Sequence, residues 1–151
     1  MASIGIFCGT AGGTSMIVAN ALAEAFDVEE VINMEEDFDD IDQMLEHDVL
    51  FIGSSTWGQG DVYFEWVDPL LEIESDGIDF SGKTIALRGL SFKPKTDDVR
   101  EAPSLYVCKA LEEAGVAAIQ VFDPVAMEAF NRLYGESSIL RYMDRSYDAL
   151  V

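Results

Sequence analysis

Apolar residues occur in short runs that alternate with stretches of helical spacing. "SIGIFCG" (3–9) is an apolar run ending at glycine, the pattern of a buried strand. "SMIVANALAEAF" (15–26) has apolar residues at helical spacing and few breakers, which predicts a helix. "EEVINM" (29–34) predicts a second strand, "DDIDQMLEH" (39–47) a short acidic helix and "DVLFIGSST" (48–56) a third strand. "FEWVDPLLEI" (64–73) predicts a helix that Pro69 either kinks or starts. "KTIALRGL" (83–90) is a fourth strand and "APSLYVCKALEEAG" (102–115) a helix, with Pro103 in its first turn and Gly115 at its stop. "AAIQVFD" (117–123) is a fifth strand. "DPVAMEAFNRLYG" (123–135) is a helix with Asp123 as N-cap, Pro124 first and Gly135 as C-cap. A sixth strand at 138–143 and a last helical turn or two at 145–151 end the chain.

Strands alternating with helices, without repeats or low-complexity linkers, predict an α/β fold. Near-continuous apolar strands need cover on both faces, which calls for a parallel sheet. Right-handed crossovers then lead to a three-layer, doubly wound architecture. A chain of 151 residues suits one core, so 1–151 is expected to be a single domain.

Charge divides this uniform pattern in two. Residues 1–82 hold 19 acids and no Lys or Arg, whereas residues 83–151 hold 10 acids and 9 bases. A segment of charge −19 repels nucleic acid and anionic membrane and attracts basic partners; high solubility is the plainer reading of the same charge. Cys8 and Cys108 form no Cys-x-x-Cys or Cys/His cluster, so two reduced thiols and no metal are expected. The start lacks a basic signal-peptide region, and no window approaches the roughly 20 apolar residues of a membrane span. A soluble cytoplasmic protein follows as the expectation, and a monomer.

Two loops carry the candidate chemistry. "GTAGGTS" (9–15) joins the first strand to the first helix. Small Gly and hydroxyl residues at a helix N-terminus leave N–H groups free for an anion, and the helix dipole assists. It has neither the Walker A lysine nor the G-x-G-x-x-G spacing, and it could equally be an ordinary capped turn. "SSTWGQGDVY" (54–63) follows the third strand. Where strand order reverses between strands one and three, both loops flank one crevice. There Trp57 can lie on a planar ligand, or it can be a packing aromatic.

With these residues, positions 1 to about 90 resemble the flavodoxins, small FMN-binding electron carriers: "IGIFCGTAGGTS" is similar to their phosphate loop, "STWGQGD" to their first flavin-stacking loop and "DFSGKTIALRGL" to their fourth strand. The resemblance implies that Thr10, Ala11, Gly12, Gly13, Thr14 and Ser15 hold the FMN phosphate. It also implies that Thr56, Trp57 and Gly58 line one side of the isoalloxazine. Gly12 stands where the family usually has Thr, and Cys8 where an aromatic is common.

Beyond the fourth strand, the second stacking loop of a flavodoxin is missing. "GLSFKPKTDDVREAPSLYVCKALEEAG" and "VFDPVAMEAF" instead resemble the C-terminal, nucleotide-sugar-binding domain of UDP-glucose 6-dehydrogenases over about 83–151. The chain therefore reads as a chimera, made by engineering, with 1–82 and 83–151 meeting between Ser81 and Leu90. The expected sheet order is flavodoxin-like, 2-1-3-4-5, with the sixth strand at the edge. The dehydrogenase's catalytic-cysteine and NAD motifs do not occur in the sequence, so no enzyme activity is expected. Cys108 reads as a small core residue. Lys93 and Arg100 read as a solvated loop beside Asp97 and Asp98. Arg88, in a strand expected to be buried, could reach into the crevice. The expected function is a residual FMN site, at most an electron carrier, with flavin as ligand and basic redox proteins as partners. Phe92 or Tyr106 could stand in for the missing aromatic. A ligand-free scaffold that tests fold recombination is the alternative, and a nucleotide-sugar module a third.

Overall fold

The structure, a computed structural model, describes residues 2–10, 13–54, 56–57, 61–62, 64–88, 90–91 and 95–144, with backbone alone at 56–57, 61–62 and 88. The segment 145–151, where a last helical turn was expected, lies outside the described residues.

Six strands form one parallel sheet. They are β1 (Ile4–Gly9), β2 (Ile32–Asn33), β3 (Val49–Ser54), β6 (Thr84–Arg88), β7 (Ala118–Phe122) and β8 (Leu140–Tyr142). Their order is β2-β1-β3-β6-β7-β8, the expected order with the sixth strand at the edge. Two short strands were not foreseen: β4 (Thr56–Trp57) and β5 (Asp61–Val62) pair antiparallel as a small ribbon. The helices are α1 (Gly13–Phe26), α2 (Asp42–Leu45), α3 (Val67–Ser75), α4 (Pro103–Glu113) and α5 (Met127–Tyr134). Among the described residues no helix is long and apolar enough to cross a membrane.

The side-chain alternation of β1 sets the layers. Phe7 enters one core while Ile6 and Cys8 enter another. The larger core joins Phe7, Leu50 and Trp66 to Leu111, Ile119 and Phe130, and takes buried side chains from α2, α3, α4 and α5. The smaller joins Ile6, Cys8 and Phe51 to Ala19 and Ala23 of α1, with Ala86 from β6. The sheet thus lies between α1 on one side and α2–α5 on the other. Strand β7 shows the result: Ile119 and Val121 are fully buried on the large-core side, while Ala118, Gln120 and Phe122 are only half-buried.

Several boundaries move for local reasons. β2 pairs over two residues where six were expected, and α2 is four residues long. The 64–73 helix opens with a 3-10 turn, Phe64–Trp66, and Pro69 sits in the first α turn, where its missing N–H costs nothing. α5 starts at Met127 and not at Pro124, because Asp123 closes a separate turn: its Oδ1 accepts from Val125 N at 2.8 Å and Ala126 N at 2.7 Å. Gly115 and Gly135, at φ 81° and 85°, stop α4 and α5 as expected.

Strand β6 is the seam between the two charge regimes. It pairs with β3 through Val49↔Thr84 and with β7 through Thr84↔Ala118. Lys83, the first basic residue of the chain, donates from Nζ to the carbonyls of Leu45 at 2.6 Å and His47 at 2.5 Å. These carbonyls lie at the C-terminal end of α2, where the helix dipole also favours a cation.

Candidate functional site

The loops at 9–15 and 54–63 leave the sheet side by side. β1 and β3 pair up to Cys8↔Gly53 and Gly9↔Ser54, so both segments emerge from the C-terminal ends of adjacent strands. Strand order reverses at β1, with β2 on one side and β3 on the other. A crevice at such a point is where open α/β sheets bind ligands.

α1 begins at Gly13, two residues earlier than its apolar pattern suggested. Gly13, Thr14 and Ser15 therefore form its first turn, whose N–H groups have no partner within the helix. The turn holds no acid, so nothing there opposes an incoming anion. A Cβ added at Gly13 would meet nothing within 4 Å, which leaves the backbone open to approach. Thr10 follows β1 directly and is half-buried. Ala11 and Gly12, between Thr10 and the helix, lie outside the described residues. On the other side of the crevice, Thr56 and Trp57 form β4; their side chains, and Gly58, lie outside the described residues.

A cavity of about 200 Å³ opens beside these loops, lined among others by Cys8, Thr14, Ser15, Val18, Gly53 and Ser54. Its lining has the hydroxyl residues Thr14, Ser15 and Ser54 near the loops and is otherwise apolar, with Ile6, Leu22 and Phe51. Burial pushes the Cys8 thiol up, which keeps it a neutral packing group.

Sequence reasoning missed Trp66. It is 1% exposed, and its indole Nε1 donates to the Gly53 carbonyl at 2.9 Å. It thereby ties the end of β3 to the start of α3 and fixes where the 54–63 loop departs. The only sequence signal was an apolar position in a helical run.

Across the crevice, the chain after β6 is fastened from below. Asp123 Oδ2 accepts from Leu90 N at 2.8 Å and Ser91 N at 3.4 Å, and Ser104 Oγ donates to the Leu90 carbonyl at 2.7 Å. Burial alone would raise the Asp123 carboxyl, but its four backbone donors together hold it below the usual carboxylate range. Asp123, expected as a helix cap, is therefore a staple between two loops. Phe92 and Lys93 lie outside the described residues, as does the Arg88 side chain. Tyr106 is 65% exposed on α4. Arg100 pairs with Asp98 at 2.7 Å on an exposed loop, as read from the sequence. Cys108 is fully buried in α4, its thiol pushed up to about 12 by burial and by Glu112.

Two family models match the chain in succession: the flavodoxin model over residues 6–91, and the UDP-binding domain of the UDP-glucose/GDP-mannose dehydrogenase family over 86–151. The chain is 53% identical to flavodoxin 1 of Azotobacter vinelandii over 91 residues, which is 59% of this chain and 52% of that protein. It is 44% identical to a UDP-glucose 6-dehydrogenase of Rhizobium meliloti over 61 residues, 40% of this chain and 14% of that enzyme. The chain thus spans about half the length of the curated flavodoxin and a small part of the dehydrogenase. The crystal structure of a Fusobacterium nucleatum flavodoxin bound to flavin mononucleotide superposes with a TM-score of 0.60 at 20% identity, over 81% of this chain and 70% of the other. At that identity the likeness speaks to the fold.

Proposed function

The chain belongs to the flavodoxin family, and on that footing we propose that its crevice binds FMN and that the protein acts as an electron carrier, not as an enzyme. The observation that carries this is the pairing Gly9↔Ser54, which sets the N-terminus of α1 beside the loop of Trp57 at the strand-order reversal. In this reading Thr10, Gly13, Thr14 and Ser15, with Ala11 and Gly12 of the same loop, hold the phosphate through backbone amides and hydroxyls. Thr56, Trp57 and Gly58 line one side of the ring system. Bound FMN supplies the redox chemistry itself. The chain supplies the orientation and a field: 19 acids in residues 1–82 disfavour added negative charge on the flavin and lower its potential. The same acids favour basic redox proteins as partners.

The two family models overlap only at 86–91, on and just after β6. This supports a recombined chain, deliberately made, that folds as a single domain over 1–151. A ligand-free scaffold is the second reading, and the staple formed by Asp123 and Ser104 favours it. These residues hold Leu90 and Ser91 to the C-terminal part, away from any duty to the flavin. Titration with FMN decides between them. Quenching of flavin fluorescence to a saturable end point is expected, with weaker binding in Trp57→Ala. Saturating flavin without quenching would leave the scaffold reading.

A further inference from the structure

The helix that follows the 54–63 loop is apolar on two sides. The inner side has a plain reason: Trp66, Pro69 and Ile73 are buried, and Leu70 packs against the large core. The outer side has none of that cover. Phe64 is 58%, Val67 43% and Leu71 54% exposed. Their spacing, i, i+3 and i+7, sets them in a row along the 3-10 turn Phe64–Trp66 and α3. An exposed apolar side chain standing singly is normal, whereas several together within a polar rim mark a contact surface.

The rim of this row carries one sign. Residues 64–76 hold Glu65, Asp68, Glu72, Glu74 and Asp76 and no Lys or Arg. At about 100° per residue, Val67 and Leu71 fall between Glu74 on one flank and Asp68 and Glu72 on the other. Asp68 and Glu74 are exposed, and Glu72 is half-buried. The ion pairs among the described residues, Arg100–Asp98 and Arg132–Glu128, lie elsewhere.

We propose that this face docks an amphipathic basic helix of a partner protein. Apolar side chains of that helix meet Phe64, Val67 and Leu71, and Lys or Arg on its two flanks meet the acid rim. Recognition of this kind is read through anchors at i, i+3 or i+4, and i+7. Charge selects the occupant. A second copy in a two-fold contact would bring the same five acids against these, with −20 on each chain. Nucleic acid and an anionic membrane surface are repelled for the same reason. Residues 145–151 hold one base, Arg145, and one acid, Asp148, so charge gives them no preference for this rim. One helix face buries little area, so the complex is transient and weakened by salt. The row starts directly after the loop of Trp57, which puts a docked helix beside the candidate crevice. Its seating needs no bound flavin, so the proposal stands apart from the flavin reading.

The probe is a synthetic leucine–lysine peptide of about 15 residues, near the least length that holds a helix in water. Its leucines lie on one face; a scrambled peptide of the same composition is the comparison. Fluorescence anisotropy of labelled peptide, titrated with the full chain, reads the affinity. Saturable binding is expected, at least about tenfold tighter than for the scrambled peptide and weaker in high salt. The double variant Val67→Glu, Leu71→Glu should raise Kd at least about tenfold with an unchanged circular dichroism spectrum, because both side chains are exposed. Asp68→Asn with Glu74→Gln should weaken binding and flatten its salt dependence. Leu133→Glu, at a comparably exposed apolar position of α5, should leave Kd as it is. Equal binding of the two peptides overturns the proposal. So does a Kd that ignores the α3 double variant, or one that Leu133→Glu raises as much. Self-association in sedimentation velocity that Val67→Glu, Leu71→Glu abolishes would give the face to a second copy and overturn it too.

Discussion

The two faces of the sheet contrast sharply. On one, Phe7, Leu50 and Trp66 from the acidic segment interlock with Leu111, Ile119 and Phe130 from the near-neutral segment. On the other, among the described residues, the buried core is built from residues before the seam, with Ala86 alone contributed from beyond it. Topology accounts for the difference. From β6 through α4, β7 and α5 to β8 the chain steps in one direction, and right-handed crossovers then place both helices on the same face. The segment from β6 onward thus completes one layer of the sandwich and, among the described residues, adds only Ala86 to the buried core of the other. Strand β6 carries the hydrogen bonding of the sheet across the change of family resemblance, through β3 on one side and β7 on the other.

The strongest way to break this contrast is Trp66→Ala. Truncating a buried Trp costs about 3–5 kcal/mol, and here it also frees the Gly53 carbonyl. If the large core unites both segments, urea unfolding should move to much lower denaturant yet remain one transition by near- and far-ultraviolet signals. Two separate transitions would mean that the segments do not share a core. Next in size is Asp123→Asn, which turns an amide N–H toward the Leu90 and Ser91 donors and should cost about 2–3 kcal/mol. Its pH dependence has a fixed sign. The folded carboxyl is held below its unfolded value of about 3.9, so its contribution is complete above that pH and fades as pH falls through the folded value. The gap between wild type and variant should narrow in acid; a gap independent of pH would remove the charged staple from the account. The smallest effect sharpens the contrast from the other face. Leu22→Ala, at a half-buried position lining the small cavity, should cost only about 1 kcal/mol, where a fully buried leucine such as Leu111 costs about 2–5.

Strand order and the meeting of the two loops were legible in the sequence because both follow from apolar runs and crossover handedness, which are local or nearly so. The β4–β5 ribbon was not, since Thr56–Trp57 and Asp61–Val62 are too short to show a period. Asp123-Pro124 mimics a helix start by residue type, yet its carboxylate also answers donors 33 and 32 positions away, a contact invisible along the chain. Gln120 interrupts the apolar run "AAIQVF", and it is half-buried on the side of the sheet opposite α2–α5. Trp66 matters through one hydrogen bond to a carbonyl, and carbonyls carry no sequence signal. Gly13, Thr14 and Ser15 were legible as the loop that leads into the first helix, and they form the first turn of α1.

The grip of Lys83 on two carbonyls makes its amine a chemical witness to the integrity of the join. A nitrogen committed to the Leu45 and His47 oxygens is a poor nucleophile, whereas Lys95 and Lys109 stand in solvent. Brief acylation of the native protein should mark those two and spare Lys83, and the slow appearance of label at Lys83 would then time how often the union of the two segments breathes open.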